Sequence, residues 1–287
     1  MGLPMAKRVA GAGHEISTTF HRNRAPADEL AALGARILAT PAEVARNSDI
    51  VITILPADAE LKETVFGKHG LLEGFSQGKI LIEMTTGTAI AVREVEAALA
   101  AAGGRILDAP VSGGIPAAAG GTLTIMVGGD AALLEQVRPL LKTMGKNILH
   151  VGAVGQGKVV KIVNQAMAAI HLLAMSEAFA LGVQSGADPR VLYDVIKTSS
   201  GYSKMMDSCL AGFLFENSFK PGFRLDLMKK DLNLAVDSAQ ALGLPLVFTG
   251  LAAQVFAAAS TAGRGNDHYA AAADSLAGLA GTTLRCR

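Results

Sequence analysis

The first half of the chain alternates short apolar runs with helix-like segments, up to about residue 154. The runs are rich in Ile, Val and Leu, and in segments such as 88–102 and 130–143 the apolar residues recur at helical spacing. Continuously apolar strands separated by helices are typical of a buried, mostly parallel sheet. We predict strands at 16–20, 49–55, 80–83, 105–108, 122–127 and 147–151.

From about residue 155 onward the pattern is helical only. The first helix, 158–184, would be roughly 40 Å long, which is enough to tie two domains together. Further helices are expected at 188–198, 225–242, 245–262 and 268–280. We therefore predict an α/β protein with a Rossmann-like, doubly wound parallel sheet in residues 1–154. An all-α domain follows in residues 155–287, and the long helix joins the two.

Composition narrows the possible partners. Among 287 residues, 26 are Lys or Arg and 25 are Asp or Glu, so the net charge of +1 creates no field that would attract nucleic acid or an anionic membrane. Two cysteines, Cys209 and Cys286, cannot form a disulfide framework and fit a reducing compartment. No signal-peptide pattern is visible, and the apolar stretch 166–175 is shorter than a membrane span. We expect a soluble, cytoplasmic protein.

Lys161 is the first candidate for chemistry. It lies inside the apolar run 159–163, and Asn164 and Gln165 follow three and four residues later, so a helix would place them on its face. An ammonium desolvated there loses its proton more easily than in water, and it could serve an oxygen that alternates between alcohol and carbonyl. Two alternatives are a lysine extending to solvent from a helix end and a lysine in a buried ion pair.

The N-terminal region holds part of a dinucleotide-binding pattern. In such a pattern a strand leads into Gly-x-Gly-x-x-Gly and a helix whose amino end binds the pyrophosphate. Only the last glycine is available, at Gly2, directly before Leu3. About 20 residues on, where an acidic residue would bind the ribose of NAD, the chain has Asn23 and Arg24. Together with the neighbouring Arg22, these residues supply two arginines and an amide, which favour the 2′-phosphate of NADP, although a solvated surface turn is the alternative.

A candidate substrate site follows the strand 105–108. Ser112, Gly113 and Gly114 offer a hydroxyl and unobstructed backbone amides, which suit a carboxylate. A plain Gly/Pro turn is the alternative. Leu55–Pro56 and Thr86 end two other strands and would line the same crevice, because ligands of α/β sheets bind at the carboxyl ends of the strands.

Other chemistries lack support in the sequence. The segment 152–158 has the spacing of a phosphate-binding P-loop, but Val159 stands where Ser or Thr would hold Mg²⁺. The six histidines show no metal-ligand spacing, so we expect no metal. The segment 74–78 has Gly-x-Ser-x-Gly spacing, but it precedes the predicted strand 80–83 and does not join a strand to a helix, so it is not the elbow of a hydrolase.

Six segments in order carry a resemblance that covers nearly the whole chain: Met-Gly-Leu-Pro-Met-Ala, Asn-Arg, Leu-Pro, Asp-Ala-Pro-Val-Ser-Gly-Gly, Gly-Gln-Gly-x-x-x-Lys and Lys-Asp-Leu-x-Leu-Ala. They begin at residues 1, 23, 55, 108, 155 and 230. In this order they resemble the β-hydroxyacid dehydrogenase family, which includes 3-hydroxyisobutyrate dehydrogenases and tartronate semialdehyde reductases. The resemblance implies a Rossmann domain, a helical domain and a site between them.

The resemblance also implies roles for residues. Lys161 would protonate the carbonyl oxygen during reduction or take the hydroxyl proton during oxidation, and Asn164 or Gln165 would assist it. Ser112, Gly113 and Gly114 would bind the substrate carboxylate. The residues that would contact the cofactor are Gly2, Leu3, Asn23, Arg24, Leu55, Pro56, Thr86 and Lys230. The expected activity is hydride transfer between NADP(H), or NAD(H), and a small 3-hydroxy acid or semialdehyde, in a homodimer or homotetramer.

One departure from the family concerns the N-terminus. Relatives have a strand and Gly-x-Gly ahead of the position of Met1, and that strand lies between two others. Without it, each backbone group left buried and unpaired would cost about 1–3 kcal/mol. We therefore expect this chain to be a shortened version. The rival functions are a non-catalytic oligomeric scaffold, favoured only by the missing glycines, and an imine reductase, in which the lysine is usually replaced.

Overall fold

The computed structural model describes residues 1–220 and 222–285; Cys286 lies outside the described residues. The chain divides into two compact units, Met1–Lys161 and the part from Ile162 onward. The division falls inside the longest helix, Gln156–Gln184. The first unit is Rossmann-like and the second is helical, which confirms the predicted fold class.

The strands of the first unit form two sheets. The strands are β1 (Ser17–Thr18), β2 (Arg36–Ile37), β3 (Ile50–Thr53), β4 (Ile80–Glu83), β5 (Arg105–Asp108), β6 (Val111–Ser112), β7 (Leu123–Gly128) and β8 (Gly145–Gly152). β1 and β2 pair in parallel, and the larger sheet has the order β3-β4-β5-β7-β6 with β8 also paired to β7. β3, β4 and β5 are parallel, whereas β7 is antiparallel to β5 and β6. The sheet is therefore mixed and not parallel throughout.

Helices cover both faces of the larger sheet. They are α1 (Gly2–Gly11), α2 (Ala25–Ala31), α3 (Pro41–Arg46), α4 (Asp58–Phe66), α5 (Ala89–Ala101), α6 (Gly114–Gly120), α7 (Ala131–Lys142) and the start of α8 (Gln156–Gln184). Ile80 and Ile82 of β4 pack into one apolar core and Leu81 into another. Successive residues of a strand face opposite sides, so a strand covered on both sides is apolar throughout.

β1 and β3 do not share a partner strand. In the described part of the chain, β1 pairs with β2 and β3 pairs with β4, and no strand pairs with the other edge of either. A cavity of about 700 Å³ is lined by residues of both strands, including Ser17 and Ile52. Among the described residues the two strands therefore have no common neighbour.

The second unit consists of the rest of α8 with α9 (Pro189–Lys197), α10 (Leu225–Ala241), α11 (Val247–Ala259) and α12 (Ala271–Leu279). π-helical segments occur at Met206–Leu214 and Ser260–Arg264. The unit packs around one apolar cluster that contains Phe179, Leu210 and Phe256. The helices pack their apolar faces around this cluster. No strand occurs in the described part of this unit.

Helix α8 is long enough and apolar enough to span a membrane. Its length of 29 residues and a mean hydropathy of 1.6 over its most apolar window would let it cross a bilayer, which the stretch 166–175 alone would not. The core helix of a soluble protein can be equally long and apolar. In this structure 39% of that window is buried. One such helix is weak evidence for a membrane location.

Candidate active site

The start of α8 is held by a carboxylate from the sheet. Asp108 ends β5 and is fully buried. One of its oxygens accepts a hydrogen bond of 2.8 Å from the Gly155 amide, and the other accepts one of 2.9 Å from the Lys158 amide. The first amides of a helix have no partner within the helix, so this carboxylate satisfies two groups that would otherwise be buried without a bond.

Two glycines allow this close approach. A Cβ atom on Gly157 would lie 2.6 Å from the Met126 carbonyl oxygen and 2.7 Å from a carboxylate oxygen of Asp108, closer than real contacts allow. Gly155 has φ +95°, which other residues rarely adopt. The Gly-Gln-Gly segment therefore brings the amino end of α8 against β5 and β7.

A second buried group ties α8 to β4. The Lys158 ammonium forms an ion pair with the Glu83 carboxylate, and both side chains are almost completely buried. Lys158 also donates to the Thr85 carbonyl oxygen at 2.5 Å and to the Glu83 carbonyl oxygen at 3.3 Å. The second carboxylate oxygen of Glu83 accepts from the Thr85 amide at 2.9 Å. Both charges are thus paired and hydrogen-bonded, as buried charges require.

This network reaches the end of β3. The Thr85 hydroxyl accepts a hydrogen bond of 2.9 Å from the Leu55 amide. Leu55–Pro56 and Thr86, which are predicted cofactor contacts, therefore border the same polar network at the carboxyl ends of β3 and β4. Sequence reasoning missed Glu83 and Lys158. A charged residue ending a buried apolar strand was the available signal for Glu83.

Lys161 follows Lys158 by one turn of α8. Its exposure is 7%, so it is buried and does not extend into solvent as one alternative interpretation assumed. Residues three apart on a helix share a face, so Lys161 lies on the face that carries Lys158 and the Asp108 contact. The position of its ammonium therefore depends on how the first turn is fixed to the sheet.

Within the second unit, three predicted residues are linked through a fourth. The Gln165 side-chain amide donates to the Asp231 carboxylate at 2.8 Å, and its oxygen accepts from the Asn164 amide at 3.1 Å. Lys230 forms an ion pair with Asp231 at 3.1 Å. Asp231, buried to 1% exposure, was not predicted, although it stands in the Lys-Asp-Leu motif. It fixes the orientation of Gln165.

Four predicted cofactor residues line one cavity of the first unit. Gly2, Leu3, Asn23 and Leu55 all contribute to the cavity of about 700 Å³. Helix α1 begins at Gly2 with no side-chain cap and no acidic residue in its first turn among the residues described. A helix start of this kind suits an anion such as a pyrophosphate.

The turn after β1 is basic and ordered by local bonds. The Asn23 side chain accepts from the Ala25 amide at 3.2 Å, which shapes the start of α2. Arg24 is 61% exposed, pairs with Asp28 at 3.0 Å and lies 5.3 Å from the centre of the Phe20 ring. A surface ion pair of this kind is weak, so Arg24 can exchange it for a phosphate. The residues present therefore fit a dinucleotide with a 2′-phosphate.

The predicted carboxylate-binding segment forms a tight turn. Ser112 is half-buried in β6, and Gly113 and Gly114 are exposed with φ +133° and +69° at the start of α6. Side chains at these two positions would be strained, so glycine is required by the backbone itself. Among residues 1–220 and 222–285, no group of three His, Cys, Asp or Glu side chains could hold a metal ion.

A Rossmann-like unit with an open helix start and a basic turn, followed by a helical unit, is typical of nicotinamide-dependent oxidoreductases. The model for the NAD-binding domain of 6-phosphogluconate dehydrogenase matches residues 1–152, and the model for the NAD-binding region of NADP-dependent 3-hydroxyisobutyrate dehydrogenase matches residues 155–275. The chain belongs to the β-hydroxyacid dehydrogenase family.

Individual relatives agree with this assignment. The chain is 38% identical to 2-hydroxy-3-oxopropionate reductase of Escherichia coli, over 94% of this chain and 92% of that protein. It is 36% identical to the NAD-dependent L-serine dehydrogenase of Pseudomonas aeruginosa, over 84% and 83% of the two chains. The structure of 3-hydroxyisobutyrate dehydrogenase from Mycobacterium tuberculosis, solved with L-serine, is 33% identical and aligns with a TM-score of 0.88 over 96% and 95%.

The family settles the coarse activity and the cofactor class. The protein is an NAD(P)-dependent oxidoreductase of hydroxy acids, with NADP or NAD as cofactor. Imine reductases, such as those of Myxococcus stipitatus and Streptomyces aurantiacus, are 19–20% identical with TM-scores of 0.61–0.64, so they share the fold alone.

Proposed function

We propose that the protein transfers hydride between NADP(H) and a small 3-hydroxy acid or its semialdehyde, with Lys161 as the general acid and base. The observation that carries this proposal is the burial of Lys161 one turn beyond a helix start anchored to the sheet. A buried amine on a fixed turn is held in one place and shielded from water, as proton transfer in a closed site requires.

The substrates in the names of relatives share one chemical core. They are 3-hydroxyisobutyrate, L-serine, 2-(hydroxymethyl)glutarate and 2-hydroxy-3-oxopropionate. Each has a carboxylate and a hydroxymethyl or aldehyde group on the same carbon, and they differ only in the remaining substituent. We therefore assign to this chain a substrate of the form HOCH₂–CHX–COO⁻, or its aldehyde, with X still to be measured.

The proposed roles follow from the chemistry of each group. Ser112 with the amides of Gly113 and Gly114 binds the carboxylate and orients the alcohol carbon. Lys161 takes the hydroxyl proton during oxidation and returns it to the carbonyl oxygen during reduction. Asn164 or Gln165 donates an amide hydrogen bond to the same oxygen. The nicotinamide, when bound, exchanges the hydride with that carbon.

A substrate panel tests the activity. The chain is assayed with NADP⁺ and with NAD⁺ against 3-hydroxyisobutyrate, L-serine, 2-(hydroxymethyl)glutarate and glycerate, following formation of the reduced cofactor. We expect turnover of at least one acid, with a lower KM for NADP⁺ because Arg24 is available for its 2′-phosphate. If no acid turns over and NADPH does not bind, the non-catalytic scaffold is the better description.

The role of Lys161 is tested by substitution. Lys161→Ala should lower kcat more than ~100-fold, because no other group would move the proton, while the Kd for NADPH changes less than ~2-fold. Turnover near the wild-type rate in this variant would reject the assigned role. The control is Lys142→Ala, a lysine at the end of α7, which should leave kcat unchanged.

We also propose a cytoplasmic homodimer or homotetramer. Val247, Phe248 and Leu251 of α11 are mostly exposed in the single chain, and apolar faces of this kind are commonly buried between subunits. Light scattering after gel filtration measures the mass in solution. A monomer at micromolar concentration would remove this part of the proposal.

A further inference from the structure

We propose that Asp108, together with the buried Glu83–Lys158 pair, acts as a positioning device that sets where Lys161 stands, and so controls turnover without touching the substrate. This inference rests on the proposed function of Lys161. It concerns different residues, none of which the family comparison assigns.

Asp108 lies on β5 and binds the same backbone amides of α8 that a capping box would bind with side chains of the helix itself. In a capping box, one side chain accepts from the third helical amide and another accepts from the amide of the capping residue. Here one carboxylate accepts from both, through the Lys158 and Gly155 amides. The first turn of α8 is therefore held in a fixed position against β5. Its free amides are bound by a side chain of the sheet and not by side chains of the helix.

The Glu83–Lys158 pair adds a second point of attachment. Lys158 is the same residue whose amide is bound by Asp108, and its side chain is held by Glu83 and Thr85 at the end of β4. One anchor fixes the backbone of this turn and the other fixes the direction in which its side chain leaves the helix. Together they restrain both sliding along and rotation about the helix axis.

The geometry of a helix transmits this restraint to Lys161. A slip by one residue moves a side chain by about 1.5 Å along the axis and about 100° around it. Lys161 lies three residues after Lys158, so its Cα and the root of its side chain move almost rigidly with the anchored turn. Misplacing a reacting group by about 1 Å can cost on the order of 10²-fold in rate.

The start of α5 shares this arrangement only in part, because the half-buried Asp58 carboxylate of α4 accepts from the amide and hydroxyl of the capping residue Thr88. Thr88 caps α5 and Asp130 caps α7, each from the residue directly before the helix. Asp130 is exposed, whereas Asp108, Glu83 and Lys158 are all almost completely buried. Burying charges costs free energy that apolar side chains would not. A costly network at this one helix start is consistent with a need for precise placement.

The experiment compares Asp108→Ala with Asp130→Ala, a matched removal of a helix-capping carboxylate. We expect Asp108→Ala to lower kcat by ~10–100-fold, with the Kd for NADPH within ~2-fold of wild type. Asp108→Asn, which keeps one acceptor oxygen, should recover part of the loss. Asp130→Ala should lower the urea midpoint of unfolding but leave kcat unchanged.

A double-mutant cycle separates positioning from general stability. If Asp108 acts through Lys161, Asp108→Ala should reduce kcat in the wild type but have little further effect in Lys161→Ala. An equal fold-loss in both backgrounds would overturn the inference. If Lys161→Ala itself retains wild-type turnover, the proposed function fails instead, and the two failures are distinguishable.

Hydrogen exchange gives a readout that does not depend on turnover. The amides of residues 155–161 should exchange faster in Asp108→Ala than in the wild type, while the rest of the first unit stays protected. If Asp108→Ala does not fold, Asp108→Asn and Lys158→Met are measured in the same way. Unchanged exchange in residues 155–161 of the folded variants would contradict the inference.

Discussion

Two regions of the molecule bury polar side chains in opposite ways. At the start of α8, Glu83, Lys158 and Asp108 are buried in arrangements that satisfy them with an opposite charge or with backbone amides. In the second unit, His268 and Cys209 are buried and Tyr269 is half-buried among apolar and aromatic neighbours. These two kinds of burial contribute differently to the stability of the protein and to the geometry of the site.

The second region keeps its groups neutral. Burial lowers the pKa of His268 from 6.5 to about 4 and raises the pKa of the Cys209 thiol to about 12. Burial raises the pKa of Tyr269 as well. The His268 ring stacks on Phe213 with centroids 3.7 Å apart, and its Nδ1 accepts from the Ala270 amide. These side chains behave as packing residues with one hydrogen bond each.

Buried charged groups and buried neutral groups place different demands on the fold. A neutral buried group needs one partner, whereas a buried ion pair needs a full set of partners and loses stability when either is removed. The first unit maintains such a set beside Lys161, while the cluster around His268 in the second unit is packed with neutral groups. We infer that the charged set serves geometry and the neutral set serves packing.

The largest effect on stability is expected from breaking the ion pair on one side. Lys158→Met should lower the free energy of unfolding by about 3–5 kcal/mol, because the Glu83 carboxylate is left buried without its partner. The double variant Glu83→Gln with Lys158→Met should recover most of that loss. Urea denaturation measures all three. A loss below about 1 kcal/mol in Lys158→Met would show that the pair is not buried as described.

A smaller effect, dependent on pH, is expected in the aromatic cluster. The folded protein holds His268 neutral, so the unfolded chain binds the proton more readily between pH 6.5 and about 4. The stability contributed by His268 is therefore complete above pH 6.5 and declines as the pH falls through this range. We expect a loss on the order of 1–2 kcal/mol, allowing for solvent screening.

The matched control for that effect is His268→Phe, which keeps the stacking on Phe213 and removes the titrating group. Urea midpoints for both proteins at several pH values between 7 and 4 give the comparison. The wild type should lose stability relative to the variant as the pH falls. Parallel curves would mean that His268 is accessible to protons in the folded state.

Much of the fold follows from the sequence because its signals are local. The predicted runs 80–83 and 105–108 coincide with β4 and β5, since each has consecutive buried apolar residues and ends at a charged residue. β2 and β6, at two residues each, are too short to show any period and were missed. The antiparallel pairing of β7 was also missed, because parallel and antiparallel strands buried on both faces have the same apolar pattern.

The residues of the candidate site also fall into two groups, those that the sequence predicts and those that it does not. Lys161 and its neighbours on α8 were visible because a helix places residues three and four apart on one face. The Glu83–Lys158 pair and the Asp108 contacts join residues from different elements, and no spacing in the sequence encodes them. Asp231 was missed for the same reason, because its contact with Gln165 joins α10 to α8. Pairings of this kind depend on the tertiary structure.

Chemical rescue shows whether the Lys161 amine itself moves the proton. In Lys161→Ala, a small primary amine such as methylamine can enter the space of the lost side chain and supply the missing group. We predict that kcat rises with amine concentration, by at least ~10-fold, while the wild type does not respond. A variant whose low rate is unaffected by any amine, or that needs none to reach wild-type turnover, would contradict the account.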